Sequence, residues 1–277
     1  IGIYVYNSNN NVIRDGSSFD NSHGILIGTN SNNNIVDHLK INNNDIGVEL
    51  RGVYSNNITN DYISNRLQGV RISSSSRNNT IFKNEIRDSS TGISIIDSNK
   101  NTIKCNNLTN NNRGVFLTNS IENILSKNNF ITNEQQIYSE DSSSKDNYWN
   151  DSQKIGNFWS DYDGKDDGSN KRERDDGIGD TDIPHPIIDK GQGYYELDNY
   201  PLMKPYDLTA PKAEAGDDIK VLVAERFKLD GSNSSDNRGI VNYTWKIGDE
   251  EYYNKTFYHK FSNTGIYNIT LTVTDNC

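Results

Sequence analysis

The chain has 277 residues, of which only 32% are hydrophobic, and its formal net charge at pH 7 is −10. This length is more than one domain normally needs, the acidic balance without a basic stripe argues against nucleic acid as a partner, and no apolar run approaches the ~18 residues of a membrane span. No signal peptide is recognisable, and because Ile1 already lies in the repeat described next, we expect the full protein to begin upstream.

Six glycines recur at steps of 22 or 23 residues along the first half of the chain. They are Gly2, Gly24, Gly47, Gly69, Gly92 and Gly114. The residues one and three positions after each glycine are all aliphatic, whereas the residue between them varies, as in Tyr4, Glu49 and Arg71. This alternation predicts a short strand with one buried face after every glycine. So regular a period predicts a repeat architecture.

Each repeat contains two more aliphatic positions and an asparagine. A second strand is predicted around Ile13, Ile35, Ile58, Ile81, Ile103 and Ile124. A third is predicted near Phe19, Ile41, Ile63, Ile86, Leu108 and Phe130. The asparagines precede the second strand, at Asn11, Asn34, Asn57, Asn79, Asn101 and Asn123. Three strands per repeat predict an all-β fold, a parallel β-helix of about six to seven coils, in which stacked asparagine amides form a ladder that satisfies the turn backbone.

The outward positions of the coils carry no chemistry that recurs in the sequence. Glycoside hydrolysis needs two carboxylates at a fixed separation. The outward acids do not fall at one offset in the repeat; they are Asp37, Glu49, Asp61, Asp88 and Asp97. His23 and His38 are 15 residues apart, and we expect both to be isolated surface histidines. The coils themselves therefore predict no acid–base catalysis.

The repeat decays after Gln136, and aromatic residues follow it. Trp149, Phe158, Trp159 and Tyr162 lie within 14 residues. The last coil of a β-helix would otherwise expose its apolar interior and an open strand edge. We therefore interpret residues 135–160 as a C-terminal cap whose aromatic side chains are structural.

An aspartate-rich segment follows, with eight aspartates among residues 161–182. Residues 135–209 hold 17 acidic against 8 basic residues, so this part carries nearly all of the net charge. Calcium takes six to eight oxygen ligands and suits short segments of aspartate and glycine; the alternative is a solvated acidic loop, and the EF-hand glutamate is absent. The sequence predicts a Ca²⁺ site with ligands drawn from Asp161, Asp163, Asp166, Asp167, Asp175, Asp176 and Asp180.

These patterns together resemble a known family. The coils resemble the right-handed parallel β-helix of NosD-like and carbohydrate-binding/sugar-hydrolase repeat proteins. The cap sequences GNFWSDY at 156–162, DGIGD at 176–180 and DNYPL at 198–202 resemble the cap of surface proteins abundant in methanogenic archaea. One departure is the segment 168–174, which appears inserted between two acidic runs and puts in doubt whether one ion binds both.

The last segment, residues 210–277, changes to the alternation of short strands in an immunoglobulin-like β-sandwich. Strands are predicted at 220–223, 227–229, 241–245 and 267–273. The order of its short sequences, with Trp245 as a core tryptophan, resembles a polycystic-kidney-disease (PKD) domain. That resemblance implies extracellular spacing, adhesion or glycan contact rather than chemistry.

The domain expectation is thus coils over residues 1–134, an acidic cap over 135–209 and a PKD-like sandwich over 210–277. We expect a non-catalytic, extracellular structural or adhesive protein of the cell surface, with other surface proteins or polysaccharide as partners. The alternative is a polysaccharide-binding or polysaccharide-degrading β-helix with active coils upstream. Self-association through the ends of the β-helix is a third hypothesis. A copper role, which NosD-like resemblance raises, is disfavoured because the chain has one Met, four His and two Cys.

Overall fold

The computed structural model describes residues 1–139, 144, 146–183, 185, 186, 197–237, 239–275 and 277. These residues form two compact units, Ile1–Tyr206 and Asp207–Cys277. Residues 140–143, 145, 184 and 187–196 of the expected cap lie outside the described residues. In the described part, no helix is long and apolar enough to cross a bilayer.

The first unit is a parallel β-helix made of three sheets, in which each strand pairs with its counterpart in the next coil. The first sheet contains β1 (Ile3–Tyr6), β4 (His23–Gly28), β7 (Ile46–Arg51), β10 (Gln68–Ser73), β13 (Thr91–Ile96), β16 (Arg113–Thr118) and β19 (Gln135–Ser139). The second contains β2 (Val12–Arg14), β5 (Ile35–Asp37), β8 (Asn57–Thr59), β11 (Thr80–Phe82), β14 (Thr102–Lys104) and β17 (Ile124–Ser126). The third contains β3 (Ser17–Phe19), β6 (Lys40–Asn42), β9 (Tyr62–Ser64), β12 (Glu85–Arg87), β15 (Asn107–Thr109), β18 (Asn129–Ile131) and β20 (Phe158–Trp159).

The aliphatic positions predicted for the first sheet face the interior in the second to sixth coils, where they are fully buried. Three predictions for the other sheets are wrong by one residue. Val36 and Leu125 face inward in place of their neighbours Ile35 and Ile124, and the inward residue of the first coil is Ser18. Since side chains alternate along a strand, a one-residue shift moves each of them to the other face. Phe19 is accordingly 57% exposed.

The glycine column is required by the spacing of the coils. A Cβ at Gly24, Gly47, Gly69 or Gly92 would lie 2.5–2.6 Å from the carbonyl oxygen of the corresponding glycine in the next coil. That distance is shorter than any van der Waals contact, so a side chain would force the coils apart. The predicted glycine period therefore has a steric cause rather than a conformational one.

Asparagine ladders run along three turns of the β-helix, whereas the sequence predicted one. The predicted ladder is confirmed except that Asn56, and not Asn57, is the member in the third coil. The other two ladders precede the third and first sheets. Their members are Asp61, Asn84, Asn106, Asn128 and Asn157 in one. They are Asn21, Asn44, Asn65, Ser89, Asn111 and Asn133 in the other.

Asp61 is an acid at an asparagine position of the second ladder, so its predicted outward orientation is wrong. Its Oδ1 accepts a hydrogen bond from the Leu39 backbone N–H at 2.7 Å, whereas its buried Oδ2 has no partner. In the next coil the equivalent atom is the Asn84 amide nitrogen, which donates to the Ile58 carbonyl. Burial raises the pKa of Asp61 to about 7, because a neutral acid fits this place better than a carboxylate.

The predicted aromatic plug is confirmed. The Trp159 ring stacks on Phe130 of the last full coil with centroids 4.3 Å apart, and Trp149 lies beside it at 6.0 Å. Asp198 fixes this arrangement by accepting hydrogen bonds from the Trp159 indole at 3.0 Å and the Asn157 backbone at 2.9 Å. Burial raises the pKa of Asp198 to about 6. The cap sequences shared with surface proteins thus close the end of the β-helix.

Between Phe158 and the second unit lie a short 3₁₀ turn (Ser169–Lys171) and the pair β21 (His185–Pro186) and β22 (Leu197–Asp198). The second unit is an antiparallel β-sandwich. One sheet pairs β23 (Phe227–Asp230) with β26 (Thr256–His259), and the other has β24 (Asn242–Ile247) between β25 (Glu250–Tyr252) and β27 (Ile269–Thr274).

Trp245 is fully buried in the core of this sandwich, as predicted. The strand predicted at 220–223 is wrong, since this segment has no strand and its Leu222 is exposed. Its alternation of apolar residues is too short to distinguish a strand from an irregular edge.

Candidate functional site

A continuous row of outward side chains crosses the first sheet, and we call it the outer row. Each member pairs in register with the next; the row is Tyr4, Leu26, Glu49, Arg71, Ser94, Phe116 and Tyr138. A flanking row runs beside it, formed by His23, Ile46, Gln68, Thr91, Arg113 and Gln135. The two rows touch, because His23 bonds Glu49 and Arg113 lies over the Phe116 ring.

A charged cluster occupies the middle of the outer row. Glu49, only 1% exposed, bonds the Arg51 guanidinium through both carboxylate oxygens, at 3.0 and 2.6 Å. His23 Nε2 lies 2.9 Å from Glu49 Oε2, Arg71 Nε lies 3.7 Å from Oε1, and the Ser73 hydroxyl donates to Oε1 at 3.2 Å. Four side chains from four coils therefore converge on one carboxylate.

The environment of Glu49 makes it a weak base. Burial alone would raise its pKa, but hydrogen bonding to Arg51 and the charges of Arg51, Arg71 and His23 together hold the pKa below its usual value. A general base works best when its pKa lies near the operating pH. This carboxylate is suited to hold the arginine side chains in place rather than to move protons.

Aromatic side chains lie on both sides of the charged cluster. Towards the first coil, Tyr4 and Tyr6 have ring centroids 5.6 Å apart and are about half exposed. Towards the cap, Phe116 and Tyr138 stack at 5.9 Å, with the Arg113 guanidinium 4.1 Å from the Tyr138 ring. The outer row thus presents flat rings at each end and fixed cationic donors between them.

The sequence did not predict this site. His23 is not isolated, as expected, but belongs to the cluster, while His38 is an exposed residue paired with Asp37. The interpretation that outward positions do not converge is wrong at Glu49. The signal was present, since Glu49 and Arg71 are separated by 22 residues, one coil length, and so become neighbours.

The predicted calcium ligands lie in a loop held by its own backbone. Asp166 accepts hydrogen bonds from the backbone of Asp175 at 2.6 Å and Gly177 at 2.7 Å. Asp180 is buried and accepts one from Gly168 at 2.6 Å. These carboxylates therefore fold the acidic segment around themselves.

The remaining predicted ligands lie nearer the surface of the loop. Asp167 and Asp176 accept hydrogen bonds from the residues two positions ahead of each, and Asp161 lies 3.7 Å from His185. Asp163 acts on His185 only through its charge. Within the described ranges, no three His, Cys, Asp or Glu side chains are placed to hold a metal ion.

Residues 2–164 match the family described as periplasmic copper-binding protein (NosD). The chain belongs to the NosD family. Residues 208–277 of this NosD-family chain match the PKD domain family. Both resemblances found in the sequence are thereby confirmed.

Other similarities of this NosD-family chain are partial. It is 43% identical over 68 residues to collagenase ColA of Clostridium perfringens (strain 13 / Type A), which is 24% of this chain and 6% of that protein. Two substituted forms of the periplasmic alginate epimerase AlgG match with 24% identity and a TM-score of 0.47. They cover 50% and 52% of this chain and 34% and 37% of theirs, so the chain spans only a small part of the curated relative and about a third of these structures.

The side chains of this NosD-family chain do not fit a copper site in its described part. Copper sites are built from Cys, His and Met. The four histidines lie apart, with His23 bonded to Glu49, His38 to Asp37, His185 beside Trp159 and His259 among the aromatic residues of the sandwich. No step in the following sections involves copper.

Proposed function

We propose that this chain belongs to a non-catalytic extracellular structural or adhesive protein that contacts polysaccharide along the outer row. The observation that carries the proposal is the charged cluster between two aromatic pairs on one continuous face. Sugar rings present apolar C–H faces and polar edges, which match aromatic rings and arginine donors.

Placement outside the cytoplasm is supported by the two families. The NosD family is described as periplasmic. A PKD domain is typical of extracellular proteins, in which it serves as a spacer or an adhesive module. A rigid β-helix followed by such a module suits a surface layer or an adhesive better than a freely diffusing enzyme.

A binding assay tests this function. The intact chain should be retarded during electrophoresis through gels that contain alginate, polygalacturonate, xylan or dextran, with retardation by at least one of them. Replacing Phe116 and Tyr138 together by Ala should weaken that retardation, whereas Tyr62→Ala, on the third sheet, is the matched control and should not. Equal loss in both variants, or no retardation of the intact chain, would contradict the proposal.

Polysaccharide cleavage is the second candidate, because a histidine, a carboxylate and two arginines converge on one face. The low pKa of Glu49 argues against it, as does the engagement of both its oxygens by Arg51. Incubation with alginate or polygalacturonate distinguishes the two. Accumulation of unsaturated or shortened products, lost in Glu49→Gln, would replace binding by cleavage.

Calcium binding by the acidic loop is also proposed. Its supporting observation is the buried Asp180 Oδ1, which has no hydrogen-bond partner. A cation would compensate an oxygen that is buried without a donor. Ligands beyond Asp180 would then come from neighbouring carboxylates after the loop rearranges around the ion.

A further inference from the structure

Three buried polar atoms without hydrogen-bond partners lie together beside the charged cluster. They are Gln68 Oε1, Arg71 Nε and Ser94 Oγ. Within the described part of the chain only six side-chain atoms share this condition. Buried polar groups are nearly always paired in native proteins. Three such atoms at one place call for an explanation.

The register brings these three side chains onto one patch. Arg71 and Ser94 pair directly across strands β10 and β13 in the outer row. Gln68 belongs to the flanking row of the same coil as Arg71. Residues at the equivalent two positions of the sixth coil touch, since Arg113 lies over Phe116. We call Gln68, Arg71 and Ser94 the polar patch.

The chemistry of the three atoms specifies a ligand that both accepts and donates hydrogen bonds. Arg71 Nε is a donor only, Gln68 Oε1 is an acceptor only, and the Ser94 hydroxyl can do either. A bare anion such as sulfate has acceptors but no donor for Gln68. A sugar ring that carries both a carboxylate and hydroxyl groups supplies both.

The charge around the patch favours an anion. Arg51 and Arg71 bring two positive charges against the single negative charge of Glu49, which already holds Arg51 through both oxygens. Arg71 Nε is 3.7 Å from Glu49, too far for a hydrogen bond, so its donor is still available. Charge-assisted bonds from arginine to carboxylate are among the stronger hydrogen bonds in proteins.

We propose that the polar patch of Gln68, Arg71 and Ser94 is a subsite for a uronate residue of an acidic polysaccharide. The carboxylate accepts from Arg71 and Ser94, and a ring hydroxyl donates to Gln68. The aromatic pairs at both ends of the outer row would contact neighbouring sugars of the same strand. This inference rests on the proposed function and names its ligand class.

Binding of defined sugars tests the subsite in the intact chain. Calorimetric titration with oligogalacturonate should show binding that Arg71→Met weakens by about tenfold or more. Ser94→Ala, which removes one buried oxygen without adding bulk, should weaken it by about threefold or more. Arg87→Met is the matched control, since Arg87 is paired with Asp88 on the third sheet, and it should bind as the unsubstituted chain does. Thermal melts identify any variant that fails to fold, in which case Ser94→Ala decides.

The outcomes separate the subsite from the wider function. Oligogalacturonate binding that neither variant weakens would overturn the subsite. Dextran sulfate binding as tightly, and depending equally on Arg71, would overturn the uronate assignment in favour of a sulfate. Retardation by xylan or dextran without binding of oligogalacturonate would overturn the uronate subsite and leave the proposed function intact. No binding of any of these polysaccharides would overturn both.

Discussion

Single residues in this chain are explained by what the neighbouring coil places against them. A ladder asparagine donates its amide and accepts at its carbonyl in every coil, which is why one acid in the ladder stands out. Asp61 can imitate the amide only when it carries a proton. Its raised pKa, about 7, is a direct consequence of that position.

Asp61→Asn should stabilise the β-helix in a pH-dependent way. The pKa of Asp61 is higher in the folded chain, about 7, than its ordinary value of 3.8. Its favourable contribution is therefore complete below pH 4 and is lost as the pH rises towards 7. The gain in free energy of unfolding should be near zero at pH 4 and about 2–4 kcal/mol at pH 8.

Urea unfolding of both proteins at the two pH values measures this gain. Asn106→Asp, at the equivalent place two coils later, is the matched control and should introduce the same pH-dependent loss. A gain in Asp61→Asn that is equal at both pH values would contradict the raised pKa.

The sequence predicted the first-sheet residues well and the other sheets less well, for a reason visible at single positions. Gly24 fixes the register of Ile25 and Ile27, because no other residue fits against the next coil. No comparable marker precedes the second sheet. Ile35 and Val36 are both β-branched and apolar, so periodicity alone does not tell which of them faces inward.

At the scale of elements, the cap decides whether the coils end cleanly. Trp159 covers Phe130 and is held by Asp198 from a segment 39 residues further along the chain. The cap was predictable from its aromatic residues and the need to cover an open coil. The role of Asp198 was not, because its partners are brought together only by the fold.

Trp159→Ala should destabilise the β-helix by about 3–5 kcal/mol, the range for removing a buried tryptophan. Chemical denaturation followed by far-UV circular dichroism measures it. Tyr148→Ala is a suitable control, since Tyr148 lies in the same cap segment with its ring exposed, and it should cost under about 0.5 kcal/mol. Equal effects of the two substitutions would contradict the plug.

Calcium removal is the corresponding test of the acidic loop. If Asp180 holds an ion, EDTA should lower the melting temperature and speed proteolysis within residues 161–182, because binding stabilises the folded state. Asp180→Asn should remove the response to EDTA, whereas Asp97→Asn, on the coils, should retain it. Unchanged melting and digestion with EDTA would eliminate the calcium proposal.

At the scale of the whole molecule, two units with separate cores carry different tasks. The β-helix has the outer row, while the sandwich is built around Trp245 and has the features of a PKD domain. The fold class followed from the glycine period and the sandwich alternation. The outer site did not, because its members lie 22 to 26 residues apart in sequence and their convergence depends on side-chain orientation.

The central claim is that polysaccharide lies along the outer row. Hydroxyl-radical footprinting of the intact chain, with and without polygalacturonate, tests it most directly. We expect oxidation of Tyr4, Phe116 and Tyr138 to slow in its presence, while Phe82 and Tyr62 on the second and third sheets react as before. Unchanged oxidation of the outer row, or protection confined to the other two sheets, would contradict the account.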